Sequence, residues 1–213
     1  MLTQLAHRLV AVPWVYDLVQ ALAGTRSVDR RIAAQARRSV PVVVLDVGGG
    51  TGHRGQLFAG AGLYCCLDLD AQKLRGWRAR RRPGRALLAD ATRCPFGGGT
   101  VDLVLLTAVA HHLATEQLAR ALAEIARVLR PQGHLLVAEP TWVPWYPLGR
   151  LLWRFDRGAH PRRAATLRGL LEREFEIVHE ERWTPLHRVV CYVARPRSPR
   201  RSPRNTATSA ATP

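Results

Sequence analysis

An apolar strand runs into a glycine-rich turn at Leu45-Asp46-Val47-Gly48-Gly49-Gly50-Thr51-Gly52. The strand is expected to begin near Val40, and its short run of Val and Leu residues is typical of a buried parallel strand. Glycine has no β-carbon, so a glycine-rich backbone can bend sharply and bring its N–H groups close to a ligand. The stretch therefore predicts a ligand-binding turn at the carboxyl end of the first strand of a sheet.

Further apolar segments recur along the chain. Four follow the glycine turn at intervals that each leave room for a helix, and this alternation predicts a parallel sheet with helices on both faces. Two more strands, beginning at Phe175 and Arg188, are joined by a link that is short enough only for antiparallel neighbours. The predicted fold is α/β, with a seven-stranded, mostly parallel sheet and an antiparallel C-terminal strand. The four middle strands are expected at residues 63–67, 86–89, 101–106 and 135–138.

The pattern divides the chain into three parts. Apolar residues at helical spacing begin at Leu2, and a later helix is expected from Ser27 to about Arg38. The clearest helix precedes the fifth strand and is expected to stop at Pro131-Gln132-Gly133. The predicted parts are an N-terminal helical cap at residues 1–40, one α/β domain at residues 41–195, and a disordered basic tail at residues 196–213.

Composition limits the classes of protein to consider. The chain has 213 residues and a net charge of +16, and Lys73 is its only lysine. This arginine excess predicts attraction to phosphate-rich surfaces, although genome composition also produces it. The four cysteines lack the spacing of a zinc site or a disulfide framework, so no metal is expected. The chain shows neither a signal-peptide core nor an apolar run of roughly 18 residues, so we expect a cytoplasmic protein without a membrane span.

Two cofactor fingerprints overlap in the glycine turn. Residues 48–52 read G-x-G-x-G, whereas residues 50–55 read G-x-G-x-x-G, which is typical of dinucleotide-binding turns. Asp68 ends the second strand, and an acid there suits the ribose of either cofactor. The Ala-Asp-Ala at residues 89–91 and the terminal antiparallel pair are not required in a dinucleotide domain. These neighbours favour a methyl donor over NAD.

Residues 42–139 resemble the small-molecule branch of the class I S-adenosylmethionine-dependent methyltransferases (type 11), which includes ubiquinone and menaquinone methyltransferases. The resemblance implies a Rossmann-like fold, S-adenosylmethionine as cofactor, and transfer of a methyl group to O, N or C of a small molecule. Gly49 and Val101 depart from residues frequent in the family. The motifs that carry the resemblance are Leu-Asp-Val-Gly-Gly-Gly-Thr-Gly, Leu-Asp-Leu-Asp, Ala-Asp-Ala, Val-Asp-Leu-Val, His-His-Leu and Arg-Val-Leu-Arg-Pro-Gln-Gly-His-Leu-Leu-Val.

The resemblance also implies which residues contact the cofactor. Asp68 with Leu69 would hold the ribose, although Asp68 also suits a helix cap. Asp90 with Ala91 would meet the adenine, although Asp90 also suits a turn. Thr107 would line the floor near the sulfonium. The methionine pocket would be shaped by Asp46, Gly48, Gly50 and Gly52.

Catalytic and acceptor-binding residues are less constrained by the pattern. His111 and His112 follow the fourth strand at the edge where α/β sheets bind ligands, so either is a candidate base. The pair also belongs to the family's common pattern, which favours packing or a cofactor lid. The candidate pocket for a hydrophobic or aromatic acceptor contains Tyr16, Trp142, Trp145 and Tyr146, with packing on the sheet edge as the alternative.

A different function remains open because of the arginines. Six lie between Arg75 and Arg85, and five more lie in the tail between Arg195 and Arg204. They suit an RNA-directed or other macromolecule-directed methyltransferase, or a catalytically silent nucleic-acid-binding relative. Against this reading, the chain contains no recognisable RNA-binding module, and a solvated helix face explains the first group. Small-molecule transfer is the prediction.

Overall fold

The structure is a computed structural model, and it describes residues 25–39, 42–60, 62–153, 158–184 and 188–197. The first part of the predicted N-terminal cap, including Tyr16, lies outside the described residues. The predicted tail lies outside them from residue 198 onward. Pro196, expected to begin that tail, instead ends the last strand, where it pairs with Phe175.

The predicted fold class is confirmed by a seven-stranded sheet with the order β3-β2-β1-β4-β5-β7-β6. The first five strands are parallel, β7 is antiparallel to β5, and β6 is antiparallel to β7. β7 therefore runs against the other six strands. The strands are β1 (Val43–Val47), β2 (Leu63–Asp68), β3 (Arg85–Leu88), β4 (Val101–Thr107), β5 (Leu129–Thr141), β6 (Phe175–Trp183) and β7 (Arg188–Pro196).

Helices cover both faces of the sheet and bury their apolar residues against it. On one face, Ile32 of α1 and Leu74 of α2 join a core with alternate residues of the central strands. On the other face, Leu122 of α3 and Leu167 of α5 join a second core. The helices are α1 (Thr25–Ser39), α2 (Ala71–Ala79), α3 (Thr115–Val128), α4 (Pro147–Trp153) and α5 (Ala164–Leu171).

Two connections differ from the expected strand-helix alternation. Short 3-10 helices at His53–Phe58 and Ala91–Arg93 stand between β1 and β2 and between β3 and β4. Glycine disfavours a regular helix, and both connections are rich in it. Gly55 also packs tightly, since a β-carbon there would lie 3.1 Å from the carbonyl oxygen of Pro83.

One predicted boundary was wrong, and one helix was not predicted. β5 begins at Leu129, six residues before the expected start, because the residue preceding Pro131 is disfavoured in a helix and extends instead. The helix α4 was not predicted. Its sequence is short and contains Gly149, so it shows no clear period, although Pro147 suits a first helical position. For β1, residues 40 and 41 lie outside the described residues, and the strand is seen from Val43.

Candidate functional site

The glycine turn leaves β1 at the carboxyl edge of the sheet, between β2 and β4. Gly48, Gly50 and Gly52 have φ values of +68°, +58° and +65°, a left-handed conformation in which a side chain is strained. The N–H of Gly48 donates to the carbonyl oxygen of Leu67 at 2.7 Å and so fixes the start of the turn to β2. The switch point of an open α/β sheet, where ligands bind, is therefore lined by this turn.

Asp68, at the end of β2, is buried beside the turn. Its Oδ2 accepts a hydrogen bond from the N–H of Gly50 at 3.0 Å, and its Oδ1 accepts one from the N–H of Asp70 at 2.8 Å. The ammonium group of Lys73 lies 3.9 Å from Oδ2. Asp68 is not the helix cap, because the side chain of Asp70 caps α2 by accepting from Gln72 and Lys73. The carboxylate thus joins the glycine turn to β2.

Asp46 and Thr107 lie on the same edge and are almost fully buried. One Asp46 oxygen accepts a hydrogen bond from the Tyr64 hydroxyl at 2.6 Å. Burial raises the pKa of the Asp46 carboxyl. Asp46 Oδ1 and Thr107 Oγ1 have no hydrogen-bond partner among the described residues. Buried polar atoms are normally paired, so these two atoms mark a place where a polar ligand group fits.

The turn after β3 is attached to the end of β2. The N–H of Ala89 donates to the carbonyl oxygen of Asp68 at 3.2 Å, which brings Asp90 and Ala91 beside Leu69. Asp90 accepts from the N–H of Thr92 at 2.8 Å, so it does stabilise a turn. Leu69 remains 67% exposed at this edge. The residues expected at the adenine and the ribose are therefore neighbours in the structure.

Glu139, at the end of β5, holds the turn that follows β4. Its carboxylate accepts three backbone hydrogen bonds, from Val109, Ala110 and His111, at 3.1, 3.2 and 2.9 Å. The turn begins at Ala108, which has an unfavourable φ of +54° for a residue with a side chain. A buried carboxylate therefore offsets the strain of the turn with charge-assisted hydrogen bonds.

The same turn packs on the glycine turn through Val109. A β-carbon added to Gly48 would lie 2.4 Å from the nearest methyl group of Val109, so the two turns are in close contact. Glu139 was missed in the sequence, although an acid at the end of a buried strand is the same signal that singled out Asp46 and Asp68. No sequence signal indicated Arg162, whose guanidinium donates to the carbonyl oxygens of Ala110 and Leu113, both at 2.6 Å.

The two candidate histidines occupy different environments. His111 is buried, its Nδ1 lies against Glu139 Oε1, and its ring meets the Trp153 ring edge-on at 5.5 Å. A carboxylate only accepts, so His111 carries its proton on Nδ1. His112 is exposed, and its ring centroid lies 4.1 Å from that of His111. Burial and the Glu139 contact favour a positioning role for His111.

The candidate acceptor residues follow β5 in one short segment. The N–H of Trp142 donates to the carbonyl oxygen of Arg162 at 2.7 Å, and this bond ties the segment to the turn after β4. Trp145 is 64% exposed, and Arg188 lies over its ring at 5.1 Å. Tyr146 is half-buried and covers the small residue Gly149. Trp142, Trp145 and Tyr146 therefore lie on the carboxyl side of β5.

Together, the strand order and the glycine turn define an α/β domain of the Rossmann-like class. Residues 45–137 match the family model described as a methyltransferase domain. This match confirms the resemblance drawn from the sequence. No helix among the described residues combines the length and the apolar character that a membrane span requires.

Curated relatives match more than half of the chain. A demethylmenaquinone methyltransferase from Renibacterium salmoninarum is 36% identical over 121 residues, which cover 54% of this chain and 50% of the relative. An uncharacterised methyltransferase from Mycolicibacterium gilvum is 36% identical over 135 residues, 62% of this chain and 48% of the relative. The chain thus spans about half the length of the curated relatives it matches.

Solved methyltransferase structures share the fold at low sequence identity. The magnesium protoporphyrin IX methyltransferase from Synechocystis, with bound S-adenosylhomocysteine, has a TM-score of 0.68 at 16% identity, covering 84% of this chain and 87% of the other. The 1,6-didemethyltoxoflavin N1-methyltransferase from Burkholderia thailandensis has a TM-score of 0.63 at 20% identity, covering 90% of each chain. These likenesses confirm the architecture.

Proposed function

We propose that this domain binds S-adenosylmethionine and transfers its methyl group to O, N or C of a small-molecule acceptor. The observation that carries the proposal is the contact between Gly50 and Asp68. It places a buried carboxylate beside a left-handed glycine turn at the switch point of the sheet. The names of the matched relatives support a methyl donor, and those printed with a substrate act on small molecules.

The residues present fit this cofactor. Asp68 uses one acceptor site of each oxygen for a backbone N–H, and an ionised carboxylate has about four such sites. Ribose hydroxyls can therefore donate to the same side chain. A β-carbon at Gly50 would make only van der Waals contacts, with the Lys73 side chain at 3.6 Å and Asp68 at 3.9 Å, so no protein atom crowds the turn at this point. The unpartnered oxygens of Asp46 and Thr107 lie at the same edge.

The chain itself supplies alignment rather than activation. When bound, S-adenosylmethionine supplies a methyl group on a sulfonium, which is already activated for in-line displacement. Glu139 fixes the turn after β4, which lies between the cofactor side and the acceptor side. Val109 of this turn packs on Gly48, so the position of the turn also affects the position of the glycine turn. Where the methylated atom carries a proton, we assign its removal to His112, which is the exposed histidine of the pair.

The acceptor side favours an aromatic or hydrophobic molecule. Trp145 presents an exposed indole with a guanidinium over it, and Trp142 and Tyr146 flank it on the same segment. Aromatic side chains bury much area at little entropic cost, and a nearby arginine suits an acceptor that carries a negative group.

Calorimetry with the isolated chain tests the proposed cofactor. We expect S-adenosylmethionine and S-adenosylhomocysteine to bind with micromolar dissociation constants and NAD to give no heat of binding. The reason is that the turn continues into a short 3-10 helix, whereas a dinucleotide places its pyrophosphate at the start of a full helix. Binding of NAD in preference to both methionine-containing ligands would overturn the proposal.

A matched pair of glycine variants tests where the ligand lies. In Gly52→Ala, the new β-carbon would lie 2.1 Å from the Trp77 ring, so we expect a loss of about 3 kcal/mol of folding free energy from strain and overpacking. In Gly50→Ala the loss should be only about 1 kcal/mol, because the new β-carbon adds the strain of the left-handed φ but meets no atom closer than 3.6 Å. Cofactor binding should nevertheless be lost in Gly50→Ala.

Thermal unfolding and calorimetry separate the two effects. If Gly50→Ala kept the affinity of the unchanged chain for S-adenosylmethionine, the ligand would not lie over the turn.

A further inference from the structure

The segment between Asp70 and Asp90 has an unusual charge. Its residues 71–89 include Lys73 and six arginines, and none is Asp or Glu. The segment covers α2, the following turn and β3, which is the edge strand of the sheet. One arginine at the end of a helix is explained by the helix dipole. The helix dipole does not explain a run of seven cations without an acid.

Five of the six arginines of this segment are exposed, whereas Arg82 is half-buried and its Nε is buried. Arg75, Arg78, Arg80, Arg81 and Arg85 all lie at the surface. Among the described residues, none of the six arginines of residues 71–89 forms an ion pair. Arginines of other elements do so, as in the pairs Arg31–Glu181, Arg54–Asp29, Arg127–Glu124, Arg130–Asp102 and Arg168–Glu172.

The surface of this basic segment is concave between α2 and β3. A hollow between α2 and β3 is lined by four apolar residues and by two arginines. Guanidinium groups pair with phosphates and also stack on nucleobases. The hollow is lined by Ala71, Leu74, Arg75, Arg78, Ala86 and Leu88.

The basic surface is distinct from the methyl-transfer site. α2 begins at Ala71, beside the carboxyl edge, and runs back along the sheet, so that Arg80 and Arg81 follow its far end. Arg85 is the first residue of β3 and therefore lies at the amino edge of the sheet. Arg81 and Arg85 therefore lie toward the amino edge of the sheet, whereas Gly50 and Asp68 lie at its carboxyl edge.

We propose that the surface formed by Arg75, Arg78, Arg80, Arg81 and Arg85 binds the phosphate backbone of a nucleic acid. It binds without reading sequence and serves as a docking surface separate from the site of methyl transfer. The proposal does not depend on the proposed methyl acceptor.

Charge and packing favour a nucleic acid over an anionic membrane. A helix that lies on a membrane needs an apolar face to insert. The large apolar residues of α2 point inward, because Leu74 is buried and Trp77 packs on Gly52. On β3, Leu88 is the one large apolar side chain of this surface that is exposed, and a single leucine is too small an apolar face for insertion. The five exposed arginines can instead each neutralise a phosphate.

Fluorescence anisotropy with a labelled single-stranded RNA of about 20 nucleotides, titrated across a range of KCl concentrations, tests the proposal. We expect Arg75→Gln/Arg78→Gln/Arg81→Gln to weaken binding at least about tenfold at low salt and to reduce the salt slope by about 2. The control Arg120→Gln/Arg163→Gln/Arg173→Gln removes the same charge from exposed positions elsewhere, and it should stay within about twofold.

Two further measurements complete the test. The triple lysine variant of Arg75, Arg78 and Arg81 keeps the charge and should keep the affinity within about threefold. Calorimetry should show unchanged S-adenosylmethionine binding in all three variants. The proposal is overturned by absent RNA binding, by equal losses in the glutamine variant and its control, or by equal losses in the lysine and glutamine variants. It is also overturned if the glutamine variant loses adsorption to phosphatidylglycerol vesicles while keeping its RNA affinity.

Discussion

Replacing Asp68 by alanine is expected to lower the affinity for S-adenosylmethionine by at least about 100-fold. Each hydrogen bond from a hydroxyl to a carboxylate contributes about 1.5–3 kcal/mol, and a ribose offers two hydroxyls. The variant also removes the acceptor of the Gly50 N–H, so the glycine turn loses its link to β2. The measurement is calorimetric titration at a temperature where the variant remains folded.

A neighbouring acid provides the control for this prediction. Asp70 caps α2 and is part of the same loop, so Asp70→Ala should cost about 1 kcal/mol of folding free energy. Its affinity for S-adenosylmethionine should stay within about threefold of the unchanged chain. Equal losses of affinity in both variants would show that the loop, rather than the Asp68 carboxylate, determines binding.

The parts of this site that could be predicted from sequence are local. Asp46, Gly48 and Gly50 are adjacent in the chain, and the short-range chemistry of a strand followed by a turn identifies them. Asp68 could be predicted because an acid directly after a buried strand occupies the carboxyl edge of a parallel sheet. The number of strands and the antiparallel end of the sheet follow from the same local patterns.

The parts that could not be predicted depend on contacts between distant residues. The place of β7 between β5 and β6 is decided by pairing across the sheet, which no periodicity encodes. The role of Arg162 requires the segment after β5 to fold back on the turn after β4, 52 residues earlier. The close packing of Gly55 on Pro83 joins two turns 28 residues apart, and the sequence pattern does not show such a contact.

Glu139 is the buried residue whose replacement should destabilise the fold most. Its side chain is 2% exposed and accepts three backbone N–H groups as well as the contact from His111. In Glu139→Gln, one end of the side chain becomes an NH₂ group that cannot accept, so buried N–H donors lose their partner. We expect the free energy of unfolding to fall by about 2–4 kcal/mol. Urea denaturation with linear extrapolation measures this change.

The same variant should also weaken the cofactor site, because the turn held by Glu139 packs on Gly48 through Val109. Glu124→Gln is the matched control. Glu124 accepts from the N–H of Cys94 and pairs with Arg127 at a partly exposed position, so water can replace its partners. We expect less than half the destabilisation and no change in S-adenosylmethionine affinity. If Glu139→Gln unfolded at the same urea concentration as the unchanged chain, the strained turn at Ala108 would not depend on that carboxylate. Another residue would then have to hold the turn after β4 against the glycine turn. Arg162 is the candidate, because its guanidinium donates to two carbonyl oxygens of that turn.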